Sequence, residues 1–143
     1  MLAETRRVNG TLQSLLHFAR PRRPRPVPTD IPELLAATVQ FIAPGLRKRS
    51  IELSCSTAPD LPLISLDANH LRQVLVNLIN NAAEAMESGG AITVRATAFP
   101  EGSGLIVAVE DDGPGMSDET REKIFEPFYT TKFHGTGLGL AVA

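Results

Sequence analysis

Apolar residues recur along this chain in two periods, one helical and one strand-like. Val8, Leu12, Leu15 and Ala19 follow at spacings of four, three and four, the seam of a single helix, and Leu16 and Phe18 widen its apolar face. A lone helix of this length leaves that face unsatisfied, so it is expected to pair with a second copy in a homodimer; the alternative is folding back on the rest of the chain. Next comes Arg20-Pro21-Arg22-Arg23-Pro24-Arg25-Pro26, where alternating prolines preclude helix and predict an extended linker over residues 21–30. Asp30 then caps a predicted helix with Pro32 in its first turn and Leu34, Leu35, Thr38, Val39 and Ile42 along one stripe. Pro44 and Gly45 predict its end. Residues 51–55 alternate as Ile-Glu-Leu-Ser-Cys, a half-buried strand that turns Cys55 inward beside Ile51 and Leu53.

A short apolar stretch at residues 63–66 leads to Asp67, the expected N-cap of the longest helix, which is predicted to run to about Ser88 and stop at Gly89-Gly90. Its buried stripe is read as Leu71, Val74, Leu75, Leu78, Ile79, Ala82 and Met86, leaving Gln73, Asn77, Asn81 and Glu84 on an adjoining polar face. Residues 91–99 and 105–110 are strand candidates joined by Pro100-Glu101-Gly102-Ser103-Gly104, and they should pair antiparallel. Helices on one face of such a sheet make a two-layer α/β sandwich.

Composition narrows the class without changing that architecture. With 143 residues, 43% of them hydrophobic, 21% charged and a net charge of −2, the chain fits one globular domain with an appendage. One cysteine supports neither a disulfide framework nor a thiolate zinc site, so a cytoplasmic setting is expected. No apolar run is long enough to span a membrane. Charge is asymmetric: residues 1–26 hold six Arg and one acid, the remainder eight bases and fifteen acids. The basic arm lacks interleaved aromatics and a folded basic face, so nucleic acid is not expected as a partner.

Three segments carry candidate chemistry. Asn77 and Asn81 lie one turn apart, and an amide oxygen is a hard neutral ligand suited to magnesium, which takes few protein oxygens and completes its shell with phosphate and water. Solvent-facing helix residues would look the same. Glu110-Asp111-Asp112-Gly113-Pro114-Gly115-Met116 puts carboxylates and glycines at a strand end. A tight turn explains the glycines, whereas a carboxylate delivered into the domain needs a donor such as a purine amine. Gly135-Thr136-Gly137-Leu138-Gly139-Leu140 follows a polar loop and is expected to open a helix whose amides could meet phosphate. It matches neither the dinucleotide fingerprint nor a P-loop.

Together, Asn77-Leu78-Ile79-Asn80-Asn81-Ala82, Asp111-Asp112-Gly113-Pro114-Gly115, Phe125-Glu126-Pro127-Phe128 and Gly135-Thr136-Gly137-Leu138-Gly139 resemble the N, G1, F and G2 boxes of sensor histidine kinases. The short loop from Thr131 to Gly135 is most similar to the nitrogen-regulatory and oxygen-sensing branch. The resemblance implies the GHKL, or Bergerat-type, ATPase fold over residues 31–143, with residues 1–20 as the second helix of a dimerisation and phosphoacceptor hairpin. It implies ATP and Mg2+ as cofactors and a response-regulator receiver domain as partner. By resemblance, Asn81 would hold magnesium, Asp111 the adenine amine, and Gly113 and Gly115 the adenine rim. Gly135, Gly137 and Gly139 would shape a lid over the phosphates, with Phe125 and Phe128 as its anchors and Lys132 reaching a phosphate. Asn77, Glu84, Met116, Thr131, Thr136, Leu138 and Leu140 complete the implied nucleotide surroundings, and Asn77, Asn81 and Lys132 would act in catalysis. Glu84 departs from the family, many members of which place a basic residue there.

None of His17, His70 and His134 resembles the phosphoacceptor, since His17 is followed by Phe18 rather than an acid; phosphate would pass to a His outside this chain. The rival reading is an ATP-driven clamp of the gyrase, chaperone or mismatch-repair type. Clamps carry a glutamate one turn before the magnesium asparagine, where this chain has Asn77, an amide that cannot take a proton, so slow hydrolysis is expected. A non-catalytic ATP-binding module is a third. The family's last helix begins at residues 138–143, so the resemblance also implies a C-terminally incomplete sandwich that is marginally stable and inactive alone.

Overall fold

The computed structural model describes residues 23–87, 89–100, 104–132 and 135–141, which divide into two compact units, one of residues 24–115 and one containing residues 116–141. The expected N-terminal helix with His17, the start of the Arg/Pro segment, Ser88, the hairpin tip at 101–103 and His134 lie outside the described residues.

In the first unit, β1 (Val27–Thr29) precedes α1 (Ile31–Arg47), and β1 lies within the segment read as linker. Asp30 caps α1, its carboxylate accepting the Glu33 N–H at 3.0 Å. The helix passes through Pro44 and ends at Arg47, not at Pro44-Gly45. Ala43 and Leu46, on either side of the proline, are both buried, and that burial holds the last turn despite the hydrogen bond the proline removes.

The main sheet has the order β2 (Ile51–Thr57), β4 (Gly90–Ala98), β5 (Leu105–Asp111). β2 and β4 run parallel with Ile51 opposite Gly90, and β4 and β5 run antiparallel with Ile92 opposite Asp111. Parallel neighbours need a crossover. It is supplied by β3 (Ile64–Leu66) and α2 (Ala68–Ala85), and β3 pairs antiparallel with β1. Ile31, Leu35 and Leu46 of α1 share one core with Leu75, Ile79, Ala82 and Ala83 of α2 and with Ile92, Val94 and Ala96 of β4. The sandwich is therefore built as expected, with two helices on one sheet face. Val74 and Leu78 are only half-buried and lie outside this core, whereas Ala83 is in it. Cys55 packs against the core, and burial pushes its thiol pKa up.

Asp67 ties the start of α2 to the segment just before β1. One carboxylate oxygen accepts the N–H groups of Asn69 at 3.0 Å and His70 at 3.3 Å, capping α2; the other accepts the Arg25 N–H at 2.9 Å, just before β1. These bonds, that from Arg25 foremost, hold the carboxyl below its ordinary pKa. A carboxyl more acidic in the folded state than in the unfolded one stabilises the fold fully above the ordinary carboxylate range, and the contribution is lost as pH falls through the folded-state pKa. Asp67→Ala is expected to lower the thermal midpoint by a few degrees at neutral pH. Asp67→Asn, which can still accept one bond, should flatten the acid side of the stability profile; an unchanged acid limb in thermal melts from neutral pH downward would refute this role.

The long helix stops at Ala85 rather than near Ser88. Met86 is extended with its side chain buried, and Arg49 Nη2 donates to the Ala83 carbonyl at 2.8 Å, satisfying an acceptor of the last turn. Gly89 has a φ of +89°, and a Cβ there would meet the Ser50 carbonyl oxygen at 2.5 Å, so the predicted glycine punctuation is where the chain turns toward β4.

In the second unit, α3 (Asp118–Lys123) is capped by Ser117, whose Oγ accepts the Thr120 N–H at 3.2 Å. Asp118 pairs with Arg121 and Glu119 with Lys123. This helix is not among the elements expected from the apolar pattern, although its serine cap, two acids in the first turn and two bases in the last are local helix signals.

Candidate functional site

Because Leu75, Ile79 and Ala82 anchor α2 to the sheet, the residues between them form a second row. Asn77, Asn81 and Ala85 follow at intervals of four on that row, with Glu84 beside it. Asn77 and Asn81 are half-buried and Glu84 is exposed.

β5 delivers Asp111 to the far end of this row. The carboxylate is not buried in the domain: it is exposed at the strand's last residue, where it keeps its hydration, and its Oδ1 accepts the Gly113 N–H at 2.8 Å. A Cβ on Gly113 would lie 2.6 Å from that oxygen, so any larger residue there must displace the Asp111 carboxylate from this closed turn. The same position is 3.6 Å from the Ala85 Cβ, which sets the turn against the helix row that carries Asn77 and Asn81. Gly115 has a φ of +73° with nothing near its Cβ position; its requirement is one of backbone conformation. Asp112, which the sequence reading did not single out, binds Ala91 of β4 through both its backbone N–H and its side chain.

The second unit contains the F and G2 segments. Phe125 and Phe128 are 65% and 62% exposed, and Met116 is 60% exposed. A backbone hydrogen bond joins the two segments. The Phe128 N–H donates to the Gly137 carbonyl at 2.8 Å; Phe128 has a φ of +69° and Gly137 one of +63°. A Cβ on Gly137 would collide with the Phe128 backbone. Leu138, next in sequence, is 1% exposed. Thr130 also acts here: its Oγ1 accepts the Lys132 N–H at 3.1 Å, and a Cβ on Gly135 would fall on that hydroxyl. Thr131, Lys132, Gly135 and Thr136 are exposed, while Gly137, Gly139 and Leu140 are half-buried. Residues 139–141 form a turn rather than the expected helix start.

A mixed sheet covered on one face by two helices, with an asparagine row meeting an aspartate-glycine turn, is a GHKL ATPase-type α/β fold. Residues 66–143 match the family described as histidine kinase-, DNA gyrase B- and HSP90-like ATPase, and the chain belongs to that family. It is 37% identical over 142 residues to the sensor histidine kinase ZraS of Escherichia coli O157:H7, covering 99% of this chain and 31% of ZraS. It thus spans about a third of the length of that relative. Among solved structures it resembles full-length ShkA in complex with AMPPNP, with a TM-score of 0.81 and 32% identity over 93% of this chain and 29% of ShkA. Histidine kinase ThkA in complex with the response regulator TrrA matches with a TM-score of 0.77 and 27% identity, over 91% of this chain and 38% of ThkA. Among the described residues no helix is long and apolar enough to cross a membrane.

Proposed function

We propose that this chain is the ATP-binding catalytic part of a sensor histidine kinase, holding ATP with Mg2+ while a histidine outside residues 1–143 attacks the γ-phosphorus and later passes the phosphoryl group to a receiver domain. The observation that carries this reading is the seating of the Asp111-Gly113 turn against Ala85, at the end of the Asn77–Asn81 row. Asp111 and the Asn77–Asn81 row belong to one compact unit, which supports reading the carboxylate as the acceptor for an adenine amine and the amide oxygens as ligands for a metal.

Magnesium fits this donor set. The ion takes one or two protein oxygens and fills its octahedron with phosphate and water, so the amide of Asn81 suffices without an acidic cage. Among the described residues no group of three or more His, Cys, Asp or Glu side chains is placed to form one. The metal would neutralise charge on the phosphates; the protein's part is to orient them and exclude water. Asn77 cannot remove a proton from water, which favours transfer to histidine over hydrolysis. Lys132 and the Gly135–Gly139 segment are assigned to the phosphates, and dimerisation to residues 1–20, on the strength of the resemblance and of the relatives' kinase identity.

Asn81→Ala is expected to weaken ATP binding in magnesium by on the order of tenfold, a contact worth about 1.4 kcal/mol, and to leave binding in EDTA unchanged. Titration calorimetry with and without the metal measures both. Loss of equal size in the two conditions would remove Asn81 from the metal site, and absence of any ATP binding by the unaltered chain would overturn the proposed function.

A further inference from the structure

Beyond the residues that would touch the nucleotide, we propose that Asp112 is the positioning residue that aims Asp111 at the adenine; this rests on the reading of Asp111 as the adenine acceptor. In the antiparallel β4–β5 pair, Ile92 faces Asp111, and the next pair outward is Ala91 with Asp112. Residues in such a pair either exchange two backbone hydrogen bonds or none. Ala91 and Asp112 exchange two, but only one is a backbone bond: the Asp112 N–H donates to the Ala91 carbonyl at 3.2 Å, while the Ala91 N–H donates to Asp112 Oδ2 at 3.0 Å.

The side-chain carboxylate thus occupies the place that the residue's own carbonyl would take in a continuing strand. With the ladder completed by a side chain, the Asp112 carbonyl is released from it and the backbone leaves the sheet one residue after Asp111. Only then can the Gly113 N–H come back to Asp111 Oδ1 at 2.8 Å. The strand end is braced from the other side as well, since the Gly90 N–H donates to the Ser50 carbonyl at 3.2 Å. Gly90 leaves room for this, because a Cβ there would lie 2.8 Å from Met86 Sδ and 3.6 Å from Asp112 Cβ. Without an acceptor at position 112, the Ala91 N–H would recapture the backbone carbonyl, extending β5 and swinging the Asp111 carboxylate away.

The test compares binding of ATP with binding of inosine triphosphate, which has the same ribose and phosphates but a carbonyl in place of the adenine amine. The unaltered chain is expected to prefer ATP by at least about tenfold. Asp112→Ala should lose most of that preference, and Asp112→Asn, which restores an acceptor oxygen at the same place, should keep it. A merely structural role would weaken both nucleotides alike and leave the ratio unmoved. Asp112→Glu, which retains charge but shifts the oxygen by one methylene, should also lose the preference; a wild-type ratio in that variant overturns the proposal even if Asp112→Ala does not fold. A wild-type ratio in Asp112→Ala, or its loss in Asp112→Asn, overturns it too. Equal binding of the two nucleotides by the unaltered chain overturns the assignment of Asp111 itself, and is thereby distinguished from failure of the positioning role alone.

Discussion

Asp111→Asn is expected to weaken ATP binding roughly 10- to 150-fold, the range for losing a charge-assisted hydrogen bond of about 1.5–3 kcal/mol. The substitution is nearly isosteric, yet an amide has one oxygen where a carboxylate has two. The Gly113 N–H already takes Oδ1 at 2.8 Å, so the variant keeps its turn by turning its oxygen to Gly113. Its nitrogen then points where the adenine amine would donate, and two donors face each other. The loss should therefore fall on ATP and not on the thermal midpoint, because Asp111 is exposed and its turn survives. Calorimetry paired with a melting curve separates the two quantities; ATP affinity within about twofold of the unaltered chain would remove Asp111 from the site.

Gly137→Ala is expected to open the F-to-G2 segment. A residue with a Cβ pays about 1–2 kcal/mol to adopt a left-handed conformation, and here the added carbon would also enter the Phe128 backbone. The Phe128–Gly137 hydrogen bond cannot survive that displacement. Amide exchange at Phe128 should accelerate by at least about tenfold, corresponding to a lost local stability of about 1.4 kcal/mol, while amides of β4 stay protected. ATP affinity should fall alongside if this segment meets the phosphates as proposed. Unchanged exchange at Phe128 would show that its amide is protected by something other than the Gly137 carbonyl.

Several features of this architecture were legible because their causes are local. Asp30 with Pro32, and Asp67 before a long apolar stripe, mark helix starts by chemistry within four residues, and the structure places both caps there. The β4–β5 pairing was legible from alternation and a short connection. What escaped depends on partners distant in sequence. A three-residue strand such as β1 has no period to detect, and its pairing with β3 is decided by neighbours more than thirty positions away. Pro44 reads as a stop until the burial of Ala43 and Leu46 is known. At the site, the residue types of Asn77, Asn81, Asp111 and the glycines were visible, but not that Asp111 stays exposed. Nor could Asp112 and Thr130 be distinguished from ordinary turn residues, since their roles lie in which backbone amide each side chain accepts.

The sheet order also bears on how the chain folds as it is synthesised. β4 has one partner, β5, that is near in sequence, and another, β2, whose residues are separated from it by nearly forty positions, as in the 3.1 Å contact of Ser54 with Thr93. Hairpin closure is a local event; parallel docking must first close the long crossover, and contacts of that separation slow folding. On a ribosome, α1 and β2 emerge well before β4 exists to pair with β2. The β2 edge and the apolar face behind it must wait in solvent until β4 arrives, the condition under which nascent chains associate wrongly or engage chaperones. The stretch bearing Asp111 is, by contrast, half of a hairpin, so its local geometry is assembled at the first step of β4 pairing rather than the last.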